Sequence, residues 1–327
     1  MPVSLAEAKN NAQEDLDVAV IDEFRKESAI LDSLIFDDVV NPAGGGATLD
    51  YGYRRLVTQA SADFRAINSE YTPAEVESQK FSVTLAPLGG SFRVDRVLAK
   101  LGPAASGAVS LNLAQKIKAT RTKFQDEVIN GDVAADADGF DGLDKALTGS
   151  STEMITTADW TDFDTNNRAE HKALDLIDEF LGLLDGAPTV LVTNRRTLAR
   201  VRAAARRAGM YTKNPVDGLV DAQDRPITRE QYGNVLLVDA GEKDGSNEAI
   251  VPVAADGTTS IYAYRVGLDG FHAVSTAGGQ LVQTWLPDFT TSGAVKTGEV
   301  EMGPVGVALK ATKSAAVLRG VKVAAGA

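Results

Sequence analysis

From Ser106 to Asn130, apolar side chains recur at helical spacing: Leu113, Ile117, Phe124 and Val128, with Thr120 in the same stripe. The pattern predicts one long helix, with Ser106 or Ser110 as N-cap and Asn130-Gly131 as a left-handed stop. At about 1.5 Å per residue it would span roughly 35 Å. The stripe is thin, and the other positions are polar: Gln115, Lys116, Lys118, Arg121, Lys123, Gln125, Asp126 and Glu127. Such a helix suits a strut across a thin body better than a core position.

Upstream, residues 12–36 place Leu16, Val20, Phe24, Leu31 and Leu34 on an imperfect apolar face. A helix there either docks on its own domain or serves as an arm on neighbouring subunits. Asn41–Gly46 (NPAGGG) breaks it as a linker. Thr48–Thr58 then alternates, with Leu49, Tyr51, Tyr53 and Val57 opposite Asp50, Gly52 and Arg54, and Gln79–Leu85 alternates again through Phe81, Val83 and Leu85. The twenty residues between them, 59–78, are polar and carry Pro73. A two-stranded hairpin is marginal alone, so this one needs a surface to lie on. Its long loop is either disordered surface or an arm reaching a neighbouring subunit. Pro87–Gly102 reads as a turn leading, through Phe92, Val94 and Val97, into the long helix.

Downstream, His171–Leu184 is amphipathic through Leu174, Ile177, Phe180, Leu181 and Leu184. Pro188–Thr193 is a continuous apolar run, a strand buried on both faces. Asn194 caps a helix over Arg195–Ala208, so an α/β lobe begins here. Residues 214–226 (NPVDGLVDAQDRP) read as a loop, and 235–240 (VLLVDA) as another buried strand. Short strands are expected at Ala249–Val253, Ser260–Val266, Gly270–Ser275, Leu281–Trp285, Val305–Leu309 and Val317–Val323, enough for a second sheet. No internal repeat stands out.

Composition narrows the chemistry. The 327 residues are 44% hydrophobic, ordinary for a globular chain with a sizeable core. The absence of Cys removes disulfides, thiol catalysis and thiolate metal sites. No apolar run approaches the roughly 18 residues that span a membrane, and the first residues lack the pattern of a signal peptide. Net charge is −12, and residues 1–40 hold ten acids against three bases. Such a chain is a poor sequence-specific nucleic-acid binder, although it could enclose nucleic acid without binding it. The helix at 195–208 carries Arg195, Arg196, Arg200, Arg202, Arg206 and Arg207. A nucleic-acid contact is open there, but without interleaved aromatics a solvated or subunit-facing surface is the preferred reading.

Asp132, Asp136, Asp138, Asp141 and Asp144 suggest a calcium loop at first glance. Counted from Gly139, the first ligand position falls on Ala134 and the closing position on Lys145, so a solvated turn is expected instead. Phosphate-loop, nucleophile-elbow, zinc-protease and dinucleotide signatures are absent. His171 and His272 are the only histidines, and neither comes with a partner motif. Nothing in the sequence therefore proposes an enzyme, and no catalytic, cofactor-binding or metal site and no cofactor is expected.

The order of parts is arm, long hairpin, long helix, α/β lobe, strand-rich region. With residues 127–132 (EVINGD), 139–143 (GFDGL), 189–202 (TVLVTNRRTLARVR) and 209–211 (GMY), it resembles the major capsid protein of tailed bacteriophages, the Hong Kong 97 (HK-97) fold, over about residues 12–325. The resemblance implies an α+β HK-97-like capsid fold divided as N-arm 1–46, extended β-hairpin loop 47–90, peripheral domain 91–150 with a spine helix 106–130, axial domain 151–260, and a return to the peripheral domain with C-terminal strands over 261–327. It implies self-assembly as pentamers and hexamers into an icosahedral virion shell that encloses double-stranded DNA without sequence-specific binding. Assembly would take place in the host bacterial cytoplasm, with a separate scaffolding protein and portal, room for a cement or decoration protein, and no membrane.

Some family members crosslink a loop Lys to a peripheral Asn. Lys80 is the only Lys in 47–90 and no Asn follows Asn247, so a non-covalent shell is expected. The short segment before the hairpin implies no fused scaffold and no cleavage of one. Hinges are expected near Gly44–Gly46 and Gly89-Gly90. The nearer rival is an encapsulin-like compartment of the same fold, set second because encapsulin chains are usually shorter. The further rival is an α/β enzyme or binding protein with an unrecognised site.

Overall fold

The computed structural model describes residues 30–37, 48–58, 60–71, 73, 75–97, 103–164, 168–210, 213–220, 226–246, 248–276 and 281–325. Of the helix expected over 12–36, the described part is α1 (Ile30–Ser33), followed by β1 (Phe36–Asp37). The rest of that helix and the Gly44–Gly46 linker lie outside the described residues.

The hairpin forms as its alternation predicts. β2 (Asp50–Leu56) pairs antiparallel with β3 (Ser78–Thr84), from Asp50 opposite Thr84 to Leu56 opposite Ser78. The next segment departs from expectation. Instead of a turn it is a ten-residue strand, β4 (Ala86–Asp95), paired along the later strand 295–309. Gly89 and Gly90 lie inside that ladder, opposite Glu301 and Val300, and so do not form a hinge. A Cβ on Gly89 would lie 2.4 Å from the Val300 carbonyl oxygen, so the glycine serves close backbone approach.

The long helix α2 runs Pro103–Asn130. Its two halves differ. Leu113 and Ile117 stay half-buried, while Phe124, Val128 and Ile129 are fully buried. The C-terminal half is thus a core helix, contrary to the strut expectation. It packs against the α1 segment, β4 and strand 295–309. After the acidic turn come α3 (Leu143–Leu147) and β5 (Glu153–Ile155). Then follow α4 (Ala169–Leu181), β6 (Val190–Thr193) and α5 (Arg195–Arg207). β6 is buried at all four positions, as its apolar run predicts. Asn194 caps α5 by accepting from the Thr197 amide at 2.9 Å.

β7 (Lys213–Val220) and β8 (Pro226–Tyr232) occupy much of the expected loop, paired to each other ahead of β9 (Val235–Asp239). The expected strand 249–253 does not form: Ala249 makes a single bridge to Glu242, and Ile250 and Val251 are buried in irregular chain. β10 (Thr258–Tyr264), β11 (Phe271–Ser275), β12 (Val282–Trp285), β13 (Val295–Leu309) and β14 (Ala315–Lys322) complete the chain.

Among the described residues these strands make a five-stranded sheet, β1-β11-β13-β12 with β4 on β13, and a seven-stranded sheet in the order β5-β14-β10-β6-β9-β8-β7. A division at residue 260 therefore falls inside β10, and β14 belongs to the sheet of the α/β lobe. One core joins Phe124, Val128 and Ile129 to residues of both sheets, including Val192, Tyr262, Val305 and Val317. A second lies between the seven-stranded sheet and α4 and α5, through Trp160, Ile177, Phe180, Leu198 and Val201. A small third core holds the hairpin base: Tyr51 and Leu85 with Val274 and Ala308.

Candidate assembly surface

The hairpin is fixed at one end and exposed at the other. At its base, the buried Tyr51 hydroxyl donates to Asp37 Oδ2 at 2.9 Å and lies 3.3 Å from His272 Nε2. The Tyr51 and His272 rings meet edge to face at 5.8 Å. One residue pair further out, the Tyr53 hydroxyl donates to the Leu309 carbonyl at 3.1 Å, and Tyr53 stacks on Phe81 at 5.9 Å. Arg55 donates from Nε to the Lys310 carbonyl at 2.9 Å and from Nη2 to the Leu309 carbonyl, with its guanidinium 4.5 Å above the Phe81 ring. These bonds join the hairpin to the end of β13, and cation–π contact adds to them.

Beyond Arg55 the support ends. Every described residue from 56 to 80 is exposed. Phe64 is fully exposed, Ile67 is 91% exposed and Tyr71 63%. Past the ladder, Val57 N donates to the Glu77 carbonyl at 2.8 Å and Glu77 N to the Thr58 hydroxyl at 2.7 Å, and a local turn closes from Ser69 N to the Ala66 carbonyl at 3.2 Å with Asn68 at φ 68°. Arg65 lies 5.4 Å from the Tyr71 ring centre. Scattered single apolar residues are normal on a surface, but three large ones on one projecting loop mark a contact surface.

Other residues singled out in the sequence fall elsewhere. The acidic turn is closed by its own chain. Asp132 Oδ1 accepts from Ala134 N at 2.8 Å, Asp141 Oδ1 from Val133 N at 2.9 Å, and Lys145 pairs with Asp132. The Lys145 ammonium beside Asp132 holds that carboxyl below its usual range. No group of metal-ligating side chains occurs among the described residues. His171 is exposed on α4, near Glu170 at 3.8 Å. His272 is fully buried on β11 at the hairpin base. Burial lowers its pKa and Lys310 adds to that, while Asp37 Oδ2, 3.9 Å away, opposes them. Lys80 is exposed on β3. Of the α5 arginines, Arg202 is bonded to Glu230 and Arg207 to Asp164, and Arg200 donates to the Val323 carbonyl at 3.3 Å.

The sequence located the hairpin and its loop. It missed Asp37, Tyr53, Arg55 and His272 as the anchor, because their partners lie more than 200 residues away in three of the contacts. The alternation that put Tyr51 and Tyr53 on one face was the available signal.

The small third core, the anchored base and the projecting loop sit beside a sheet packed against a long helix, and known structures align with nearly the whole chain. An encapsulin from Synechococcus elongatus aligns at TM-score 0.62 and 15% identity, over 100% of this chain and 99% of its own. The capsid of Myoviridae phage XM1 aligns at 0.59 and 11%, over 94% and 96%. The capsid of an empty GTA particle aligns at 0.57 and 15%, over 97% of each chain. The fold is the Hong Kong 97 capsid fold. No family model matches the chain, and no curated protein matches its sequence. Within the Hong Kong 97 fold, the encapsulin is matched over nearly its full length, so chain length does not rank the capsid reading above the compartment reading.

Proposed function

We propose that this chain is the major capsid protein of a tailed bacteriophage, assembling as pentamers and hexamers into an icosahedral shell around double-stranded DNA. The observation that carries the reading is the hairpin. Its base is bonded to β13 through Tyr53 and Arg55, and its loop offers Phe64, Ile67 and Tyr71 to solvent. A fixed base with an apolar tip is suited to lying on a neighbouring copy, and many such weak contacts sum in a closed shell. The role is structural rather than enzymatic, and the shell is held without covalent crosslinks, since no Asn follows Asn247 to accept Lys80.

In this reading residues 1–46 act as an arm and the hairpin β2–β3 with its loop as the extended loop expected over 47–90, while β4 joins 91–150 and the late β11–β13 strands as the peripheral domain. The seven-stranded sheet, including β14, is the axial domain. A separate scaffolding protein and portal, a virion location and assembly in the host cytoplasm complete it, with space for a cement protein. An encapsulin-like compartment holding protein cargo is the second reading, favoured by the full-length match to an encapsulin.

Deleting residues 59–78 tests the loop. The account expects a folded chain, with unchanged circular dichroism, that forms no stable shells. Normal shells from the deletion would remove the interlocking role.

A further inference from the structure

The α/β lobe carries two exposed faces of opposite charge, and at one end of each helix, the start of α5 and the end of α4, the sign opposes the helix dipole. Arg195 and Arg196 occupy the first turn of α5, where the helix dipole is positive and favours acids. Asp178 and Glu179 occupy the last turn of α4, where it is negative and favours bases, and no base stands there. Asp175 lies one turn before Glu179, so like charges face each other at i,i+4, as do Arg202 and Arg206 on α5. Each arrangement costs its own helix stability.

Among the described residues, intramolecular partners do not account for the charges. Among the described residues Arg195, Arg196 and Arg206 are exposed and make no ion pair or hydrogen bond, unlike Arg200, Arg202 and Arg207. Asp175 and Glu179 are likewise exposed and unpaired among the described residues. Asp178 is exposed too, accepting from the Tyr232 hydroxyl at 2.8 Å. The two helices lie side by side on the seven-stranded sheet, α4 over β14 and α5 over β9.

We propose that the basic face of α5, Arg195, Arg196 and Arg206, docks on the acidic face of α4, Asp175 and Glu179, of the next copy of this chain. The contact is head to tail, and repeating it closes a ring when the rotation between copies is a whole fraction of a turn. It rests on the shell reading, which supplies the ring. Charge complementarity commits the surface to a second copy: an acidic neighbour relieves α5 and a basic one relieves α4, and one chain offers both. A nucleic-acid backbone would relieve α5 and be repelled by α4.

The test uses the full chain and two charge reversals. One carries Arg195→Glu, Arg196→Glu and Arg206→Glu; the other carries Asp175→Lys and Glu179→Lys. Both alter exposed side chains and remove charges that oppose their helix dipoles, so circular dichroism is expected to match the unaltered chain and melting to be equal or higher. Each alone is expected to raise the concentration needed for assembly by about tenfold or more, and the chain with both reversals is expected to regain it. Assembly of the unaltered chain should also weaken as salt rises. Single reversals that fold and assemble normally would overturn this contact while leaving the shell reading in place, as would a doubly reversed chain that folds without recovering. Twofold dimers as the largest product would overturn the ring. An unaltered chain that stays monomeric under every condition would overturn the shell reading itself.

Discussion

Gly131 and Gly142 meet where the chain returns onto the end of the long helix. Gly142 N donates to the Gly131 carbonyl at 2.8 Å, and a Cβ on Gly142 would lie 2.5 Å from the Glu127 carbonyl oxygen and 2.7 Å from Gly131 N. Gly131 is not among the positive-φ glycines, so it serves space rather than a left-handed stop. Gly142→Val is expected to cost about 2 kcal/mol or more by overpacking, read as a lower denaturant midpoint of the unassembled chain. An unchanged midpoint would mean the contact gives way easily. His272 makes a second residue-scale prediction. Asp37 and Tyr51 face its ring and Lys310 acts on it, and burial holds its pKa below 6.5. A group with a depressed folded pKa contributes stability that is full above its unfolded value and is lost as pH falls through the folded one. Between about pH 7 and pH 5, melting of the chain should therefore fall more steeply than melting of His272→Gln. Equal slopes would show that the imidazole takes up its proton at no cost. Glycines and histidines were visible in the sequence, but what a Cβ would strike and what surrounds a ring are set by residues distant in the chain.

At the scale of elements, legibility followed periodicity. β2 and β3 alternate cleanly, and β6 is an unbroken apolar run, so both were readable. β13 was readable only at Val305–Leu309, although it runs from Val295. Its inward face includes Lys296 and Gly298, which hide the alternation. Lys296 is buried because its ammonium donates to the Thr291 and Ser292 carbonyls, each at 2.8 Å, and Gly298 leaves room for the Phe92 ring, 2.5 Å from where a Cβ would stand. β4 was hidden by Pro87, Gly89 and Gly90, which read as turn punctuation. The run 249–253 failed the other way: apolar residues were buried without a strand partner. The same distinction sets what the loop deletion removes. The anchor ends at Arg55 and the exposed loop begins at Leu56, so the three cores keep all their members when residues 59–78 go.

For the whole molecule, the order of elements carried the fold, while the lobes became legible only in three dimensions. β14, at the end of the chain, pairs with β5 and β10. That return could not be read from local pattern, because both sheets supply short apolar strands of similar composition. The functional reading rests on the hairpin, an anchored base with an exposed apolar loop tip, and the charged faces of α4 and α5 follow from that reading. Genome and protein cargo would place the same demands on these surfaces. The most direct measurement is therefore electron microscopy of the native particle, with its nucleic acid assayed after nuclease treatment and its protein run on a denaturing gel. The account predicts closed shells of hexamers and pentamers, protected double-stranded DNA, and a single monomer band with no ladder of covalent oligomers. Small shells of pentamers alone that hold protein would contradict the capsid reading in favour of the compartment, and free monomers would contradict both.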